Sequence, residues 1–337
     1  MTNFQTEKAI VRAHHDALAQ AAPDTVTEIL ARHTTPNWHW RGMHPFHEQH
    51  GAAAVAATFW KPFLTAMTRV QRRPDIFMAG LNEMDSFESV WVVSMGHLMG
   101  LFDRPFLGIS PTARIGMLRY AEFNRVEGGK IAETAFFCDI PHLMIQAGQN
   151  PFPPQTGAHL VQPGPATHLG LMYECQDPVA GQATLASINA MLNDMGSKNR
   201  NPNYEVELAR TWNDDMIWWG PAGIGATYTI PRYICQHAGP FRQALSKGYR
   251  FNGHLCRLAE GDFGGFFGWA NLTLANSGGY MGMTASPGPA DMRVVDLYRA
   301  EGGKLSENWV FIDILHFLNM QGLDVLARLE IIQHPQV

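Results

Sequence analysis

The chain has 337 residues, of which 46% are hydrophobic and 16% are charged. This composition is typical of a folded globular protein, and the length exceeds what one hydrophobic core usually organises, so we expect two domains. The formal net charge of -5, without any lysine- or arginine-rich run, disfavours nucleic acid as a partner.

Other features of the sequence bear on the cellular compartment of the protein. No apolar stretch approaches the roughly 18 residues that span a bilayer, and the first twenty residues lack the order of a signal peptide. The four cysteines lie far apart, without the spacing of metal ligands. We therefore expect a cytoplasmic protein with no membrane partner and with cysteines that are reduced and buried.

The elements of the first half follow from periodicity and turn signals. Residues 5–20 and 24–33 have a helical pattern, a short strand is predicted over 38–41, and an alanine-rich helix over about 51–67. Strand-like segments follow at 74–81, 87–101, 113–126 and 130–138. Gly128 and Gly129, between the last two segments, predict a tight hairpin turn.

A segment rich in proline and glycine, residues 151–168, separates this half from a second one and predicts an extended linker. We therefore predict domains over 1–150 and 169–337. The second half repeats the order of the first, with helices near 178–195 and 229–246 and strands near 214–219, 248–258, 263–275, 291–300 and 304–312. Helices followed by a run of strands predict an α+β fold with helices on one face of the sheet.

The clearest signal is an internal repeat. Residues 127–142 read EGGKIAETAFFCDIPH and residues 301–316 read EGGKLSENWVFIDILH, at an offset of 174 (313 minus 139). Upstream, Trp40 and Pro62 fall opposite Trp218 and Pro240 at an offset of 178 (240 minus 62). Each copy is far longer than a solenoid repeat, so we interpret the pattern as the tandem duplication of a whole domain.

The order of elements, the Gly-Lys-Ile hairpin and the glutamate, aromatic and aspartate that follow it resemble the SnoaL-like polyketide cyclase family of the nuclear transport factor 2-like superfamily. The stretch Gly96-His97 and the segment from Gly108 to Arg114 are similar to the family's glycine-histidine and proline-threonine pattern. The resemblance implies two tandem cone-shaped α+β barrel domains, each a curved, mostly antiparallel sheet covered by N-terminal helices. It also implies an intramolecular pseudo-dimer, with further homodimerisation left open.

The residue pattern predicts an apolar pocket that contains carboxylates. Side chains two apart on a strand share a face, so Glu133, Phe137 and Asp139 are expected to line one apolar pocket. A carboxylate in such surroundings becomes a stronger base, which suits proton removal next to a carbonyl. By resemblance, Asp139 is the general base of an intramolecular aldol closure and His97 polarises the carbonyl, with Asp313 the counterpart of Asp139. The predicted substrate-binding set is Trp38, Trp40, Trp60, Trp91, Phe137, Glu133, His142, Trp218, Trp309, Asn271 and His316.

The same residues also have structural interpretations that involve no catalysis. Asp139 precedes Ile140 and Pro141, as a helix N-cap does. For Glu133, Glu307, His142 and His316, structural hydrogen bonding is the preferred interpretation. Asn271 stands where the first copy has His97, so a full catalytic set is expected in the first copy.

The histidines between His39 and His50 raise the alternative of a metal site. Pro45 interrupts any helix there, and HEQH is one residue short of the zinc-binding H-E-x-x-H pattern, so no metal is predicted. Dinucleotide, P-loop and nucleophile-elbow motifs are absent from the sequence. The leading hypothesis is therefore a cofactor-free cyclase or isomerase for a small apolar carbonyl compound. A non-catalytic small-molecule-binding or assembly protein and a metal-dependent enzyme are the alternatives.

Overall fold

The structure is a computed structural model that describes residues 3–158, 162–195, 201–245, 247–286 and 288–333, with side chains to residue 329. Two six-stranded sheets form its framework, and their strand orders correspond: β2-β1-β6-β5-β4-β3 in the first half and β8-β7-β15-β14-β11-β10 in the second. In each sheet one pair is parallel, β1 with β6 and β7 with β15, and the other pairs are antiparallel. The predicted architecture of two tandem, helix-covered α+β domains is confirmed.

The first half follows the predicted order closely. Its helices are α1 (Gln5–Ala19), α2 (Val26–His33), α3 (Ala52–Val55), α4 (Lys61–Ala66) and α5 (Ile140–Gln146), with a π-helical turn (Ala56–Trp60) joining α3 to α4. Its strands are β1 (Thr34–Gly42), β2 (Glu48–His50), β3 (Met67–Leu81), β4 (Val90–Phe102), β5 (Ile115–Glu127) and β6 (Lys130–Cys138). Gly128 and Gly129 have φ angles of 57° and 77°, the left-handed backbone that the predicted turn requires.

The second half has the same core but shorter strands. Its helices are α6 (Pro178–Met195), α7 (Tyr204–Leu208), α8 (Ile230–Tyr233), α9 (Gly239–Leu245), α10 (Ile314–Met320) and α11 (Val325–Gln333), with a π-helical turn (Ile234–Ala238) between α8 and α9. Its strands are β7 (Trp212–Trp219), β8 (Ala226–Tyr228), β9 (Arg250–Phe251), β10 (Cys256–Glu260), β11 (Phe263–Phe267), β12 (Leu272–Leu274), β13 (Ala290–Met292), β14 (Val294–Glu301) and β15 (Lys304–Ile312).

Three predicted strands of this half are each divided in two. The segments 248–258, 263–275 and 291–300 contain breaks, and the short outer pieces β9, β12 and β13 form a separate three-stranded sheet. Strand periodicity continues across such breaks, and therefore the sequence pattern did not reveal them.

The two six-stranded sheets pack against each other with one face each. The shared apolar cluster contains Phe123 of the first sheet, whose ring centroid lies 5.1 Å from that of Phe267 in the second. The opposite face of each sheet is covered by helices and surrounds the interior of its cone. Ala158, in the predicted linker, pairs with Ala226 of the second half, and Leu171, just after the linker, pairs with Phe77 of the first sheet.

The cysteines and the helices bear on two expectations from the composition. All four cysteines are free, but Cys175 and Cys235 are exposed and only Cys138 and Cys256 are buried, which corrects the expectation that all four are buried. Among the helices in the described ranges, none is long and apolar enough to cross a membrane.

Candidate functional site

The face of β6 that carries Glu133, Phe137 and Asp139 lies toward the second sheet. Phe137 belongs to the cluster between the sheets, and its ring centroid lies 5.5 Å from that of Trp269. We expected an apolar pocket on this face. The structure corrects that expectation, because each sheet buries this face against the other and side chains fill the space between them.

Asp139 uses both carboxylate oxygens for backbone N–H groups. Its Oδ1 accepts a hydrogen bond from the N–H of His142 (3.0 Å), which is the N-cap contact of α5. Its Oδ2 accepts one from the N–H of Ala222 (2.9 Å), which lies in the second half. The side chain is therefore both a helix cap and a bridge between the halves.

Asp313 makes the reciprocal contacts. It accepts from the N–H of His316 (3.3 Å) and from the N–H of His44 in the first half (3.1 Å), and Arg293 lies 3.3 Å away. His44 stands opposite Ala222 at the offset of 178 found in the sequence, so the two bridges are related as the repeats are. Burial raises the pKa of Asp313 to about 6, although Arg293 and the two N–H groups act to lower it. The catalytic roles predicted for Asp139 and Asp313 stay predictions, and these contacts are those of the structural interpretation.

His97 and Asp139 lie on opposite sides of β5. His97 is paired in register with Arg119, and the N–H of Asp139 donates to the carbonyl of Arg119, so the two backbones are about 10 Å apart. Nδ1 of His97 lies 3.5 Å from Asp75, and its Nε2 is buried without a hydrogen-bond partner in the described part of the chain.

The buried guanidinium of Arg119 donates to the carbonyls of Val310 (2.9 Å) and Trp219 (3.2 Å). Burial lowers the pKa of Arg119 to about 9.

The repeated glutamates form ion pairs with arginines. Arg125 donates to Glu133, and Arg299, its counterpart in the repeat, donates to Glu307. Glu133 also pairs with Arg41. These contacts support the structural interpretation given for both glutamates.

The residues predicted to bind substrate are distributed over several places. Trp38, Trp40 and Trp60 are buried in the first cone, Trp218 lies in the second, and Trp91 and Trp309 are buried between the sheets. Nδ1 of His142 lies 3.2 Å from Gln146 Nε2, and burial lowers the pKa of His316 to about 4. Asn271 accepts a hydrogen bond from the N–H of Val294 (2.8 Å).

The histidine-rich loop forms pairs rather than a ligand cluster. His39 Nε2 lies 2.7 Å from Glu48 Oε2, and its ring stacks on that of His50 at 4.7 Å. The rings of His44 and His47 are 5.3 Å apart. Within the ranges that the structure covers, no three metal-ligating side chains come together, so the metal-dependent alternative has no site there.

The interior of the first cone is filled by aromatic rings and a buried ion network. Phe59 and Phe106, both at most 2% exposed, pack in the aromatic core of this cone. Beside them, Glu122 lies 2.9 Å from both His15 and Arg72. Burial alone would raise the pKa of Glu122, but Arg72 and His15 hold it below its ordinary value. This carboxylate therefore stays ionised and occupied by its partners, which makes it a poor base.

The second cone has different residues at the equivalent positions. At offset 174, Asp296 replaces Glu122 and Tyr280 replaces Phe106; at offset 178, Tyr233 replaces Val55 and His237 replaces Phe59. The structure supports this correspondence: Trp40 is in register with Thr134 as Trp218 is with Asn308, and both cones place a π-helical turn at the same point. Polar groups therefore replace aromatic and aliphatic ones inside this cone.

The corresponding side chains are less completely buried in the second cone. Glu122, Val55 and Phe59 are at most 3% exposed, whereas their counterparts Asp296, Tyr233 and His237 all retain partial accessibility. This half also has a cavity of about 450 Å³, whose walls are Asn201, Pro202, Tyr204, Phe241, Arg242, Leu245 and Tyr249. One of these wall residues, Phe241, packs on the cone residue His237, with ring centroids 5.6 Å apart.

Asp296 has the electrostatic surroundings of a base. It lies on β14 directly opposite Phe266 of β11, and Asn308 Nδ2 donates to its Oδ1 at 3.2 Å. Burial raises its pKa to about 7, although hydrogen bonding from Asn308 and Tyr298 acts to lower it. Tyr233 lies within electrostatic range of this carboxylate, and burial together with Asp296 raises the pKa of the phenol, so the phenol stays protonated. A carboxylate and a phenolic donor thus lie near each other in an apolar space.

Sequence reasoning missed Asp296, although a signal was present. In VVDLYRAE, Val295 and Leu297 alternate with Asp296 and Tyr298, so one face of this strand is polar. The repeat alignment places Glu122 at the equivalent position of the first half. The nearly identical hairpin favours Asp139 instead, but residues that are identical in the two copies also mark the contacts through which both copies pack together.

Comparison with known proteins gives similarity at the level of fold. No family model and no curated protein matches the chain. A structure from Jannaschia sp. CCS1 described as a SnoaL-like polyketide cyclase is 18% identical, with a TM-score of 0.34, and is covered over 95% of its length by 45% of this chain. An NTF2-like protein from Burkholderia xenovorans LB400 is 13% identical, with a TM-score of 0.32; the match covers 41% of this chain and 95% of that protein. An LEH-like epoxide hydrolase from M. tuberculosis is 12% identical, with a TM-score of 0.30; the match covers 46% of this chain and 98% of that enzyme. The resemblance to SnoaL-like and NTF2-like proteins expected from the sequence is thus also found among solved structures.

Proposed function

We propose that the second half of this protein binds a small apolar carbonyl compound and removes a proton from the carbon next to the carbonyl, with Asp296 as the general base. One observation carries the proposal: a partly accessible carboxylate inside an aromatic cone, with a pKa raised by burial to about 7. A carboxyl group of that pKa is ionised over much of the physiological range, and it is a stronger base than an exposed aspartate.

The proposed step uses two groups of the cone. The carboxylate of Asp296 takes the α-proton, the C–H electron pair forms the carbon–carbon double bond of an enolate, and the carbonyl π electrons move to oxygen. The protonated phenol of Tyr233 donates a hydrogen bond to that oxygen. In a ligand whose enolate is conjugated with a further carbon–carbon double bond, return of the proton to the γ-carbon gives an isomer. Attack of the enolate carbon on a second carbonyl closes a ring, and the proton then goes to the new alkoxide.

In this proposal the first half has a supporting role. Arg72 and His15 occupy the carboxylate of Glu122, and the buried aromatic rings of that cone leave little room for a ligand. The reciprocal bridges of Asp139 and Asp313 hold the halves together. We infer that the chain is an intramolecular pseudo-dimer in which one copy keeps the packing surface and the other keeps the binding site.

Exchange of α-protons for deuterium tests the proposal without knowledge of the natural substrate. The probe is 2-acetonaphthone in D2O, followed by proton NMR, with the wild type, Asp296→Asn and Asp139→Asn at equal concentrations of folded protein. We expect the wild-type rate to rise with pH through about 7, where the base ionises, and Asp296→Asn to lower it at least 100-fold. Asp139→Asn should exchange the ketone at nearly the wild-type rate.

The outcomes separate the rival functions. Loss of exchange in Asp139→Asn with retention in Asp296→Asn would place the base between the sheets and refute the proposal. Stoichiometric binding of the ketone by the wild type with no exchange above background would favour the non-catalytic binding protein.

A further inference from the structure

The polar aromatic residues deeper in the second cone have no role in the step proposed above. His237 and Tyr280 occupy the positions that Phe59 and Phe106 hold in the first cone. In the first cone, two phenylalanines at these positions pack in the same environment and are almost completely buried. Packing alone therefore does not require an imidazole or a hydroxyl here.

The hydroxyl of Tyr280 is particularly costly. Tyr280 is 4% exposed, and its OH is buried without a hydrogen-bond partner among the residues described. Its ring contacts that of Phe241 edge-on, with centroids 6.0 Å apart, as the ring of Phe106 contacts Phe63 at 5.7 Å. A buried hydroxyl that lacks a partner destabilises a protein, so a partner from outside the chain would account for its presence.

His237 supplies a second unused polar group. Its ring stacks on Trp218 at 4.0 Å, it keeps partial accessibility, and the contacts described for it are ring contacts. Burial lowers its pKa to about 3, so the imidazole is neutral and offers one donor and one acceptor.

These groups lie along one wall at increasing distance from the base. Tyr233, His237 and Phe241 follow at intervals of four residues, so they occupy one face of the helix that runs from α8 to α9, and Tyr280 packs on Phe241. The ring centroids of Tyr233 and His237 lie 5.5 Å apart and those of His237 and Phe241 lie 5.6 Å apart, so this wall extends over about two ring spacings. Polar groups thus follow one another along this wall, from Tyr233 to the adjoining ring of His237 and, beyond Phe241, to Tyr280.

We propose that His237 and Tyr280 form a distal subsite that binds a second oxygen substituent of the ligand, a hydroxyl or a carbonyl, about one to two ring spacings from the reacting carbonyl. The ligand class is a flat, elongated apolar ketone with oxygen at both ends. This inference rests on the proposed function for the position of the carbonyl only. It assigns to Tyr280 and His237 the discrimination between ligands that carry the distal oxygen and those that do not.

A matched pair of ligands tests the subsite by calorimetric titration. The probes are 6-hydroxy-2-acetonaphthone and 6-methyl-2-acetonaphthone, which differ by a hydroxyl against a methyl group of similar size. We expect the wild type to bind the hydroxy ketone about tenfold more tightly, because one hydrogen bond satisfies a buried hydroxyl. The ratio should fall to about one in Tyr280→Phe and decrease in His237→Phe, the two variants that restore the residues of the first cone.

Measurements on the free protein distinguish a ligand contact from a structural role. Tyr280→Phe should raise the melting temperature of the ligand-free protein, since it removes an unpartnered polar atom, while Phe106→Tyr in the first cone should lower it and leave the binding ratio unchanged. A binding ratio that stays at the wild-type value in Tyr280→Phe, or a wild type that binds both ketones equally or neither, would overturn the subsite.

The subsite and the proposed base fail in different ways. Asp296→Asn should keep the tenfold preference for the hydroxy ketone while it loses α-proton exchange. A preserved preference in a wild type that catalyses no exchange would leave the subsite intact and refute the base. A wild type that catalyses exchange but binds the two ketones equally would support the base and refute the subsite.

Discussion

Replacement of Asp296 by asparagine should change how stability depends on pH. The folded state holds this carboxyl group at a pKa of about 7, and the ordinary value is 3.8. Between these values the folded protein binds more protons than the unfolded chain, so stability falls as the pH rises from about 4 to about 7. The stabilising contribution of the protonated carboxyl is complete below pH 4 and lost above pH 7. Asparagine is neutral at every pH, so Asp296→Asn removes this dependence of stability on pH.

The size of this stability change follows from the pKa shift of Asp296. Each pKa unit corresponds to about 1.4 kcal/mol, so a shift of about three units has an upper limit of about 4 kcal/mol. Partial accessibility of the side chain reduces that figure, and we expect about 2 to 4 kcal/mol. Relative to the wild type, Asp296→Asn should therefore become more stable by this amount between pH 4 and pH 8. Asp313, whose pKa burial raises to about 6, adds the same slope to both proteins and cancels in the difference.

The assay is urea denaturation at half-unit steps from pH 4 to pH 8, read as the difference in unfolding free energy between the two proteins. Asp215→Asn is the matched control, because Asp215 is an exposed carboxylate on β7. The unfolding free energy of Asp215→Asn should change with pH in the same way as that of the wild type. A constant difference between Asp296→Asn and the wild type across this range would show that the carboxyl group titrates as an ordinary aspartate, and the reasoning about the base would be refuted.

Three further substitutions test the packing of the halves and of the first cone. Asp139→Ala removes a helix cap and leaves the buried N–H of Ala222 without its acceptor, so we expect a loss of about 2 to 4 kcal/mol in denaturation experiments; a loss below 0.5 kcal/mol would contradict the bridge. Lys8→Met leaves Glu260 buried without its cation and should cost about 3 to 5 kcal/mol; replacing Glu260 by methionine as well should recover only part of this loss, because the N–H of Ala79 then lacks its acceptor, and equal losses in the single and double variants would contradict a buried pair. Phe106→Ala should cost about 3 to 5 kcal/mol and create a cavity that crystallography can detect, and a smaller loss without a cavity would show that the first cone is not tightly packed.

Much of the fold could be predicted because the signals are local. The predicted helix at 178–195 and the predicted strands at 130–138 and 304–312 agree with α6, β6 and β15, and the glycine pairs mark both hairpins. Periodicity and turn chemistry act over a few residues, so one sequence contains them fully. The repeat added the long-range information that two sheets of equal order are present.

The location of the site could not be predicted in the same way. The two faces of β6 both carry apolar residues, and only the packing of one sheet on the other decides which face lines a cone and which becomes an interface. Asp139 therefore carried the pattern expected of a pocket carboxylate and of a helix cap at once. Its contact with Ala222 joins residues 83 positions apart and has no local signature.

Asp296 shows the opposite case. Its strand alternates in polarity and its repeat counterpart is a carboxylate, yet its raised pKa depends on the loss of partners that Glu122 has in the first cone. Arg72 and His15 come from β3 and α1, and it is their presence beside Glu122 that separates an occupied carboxylate from an available one. Such a difference between the copies becomes visible only when the residues around each carboxylate are known.

The most direct test of the central claim is a crystal structure of the protein with 2-acetonaphthone bound. We expect density for one ketone inside the second cone, with the α-carbon about 3 to 3.5 Å from an oxygen of Asp296 and the carbonyl oxygen facing Tyr233. Density for the ketone in the first cone, or between the sheets beside Asp139, with the second cone empty, would contradict it.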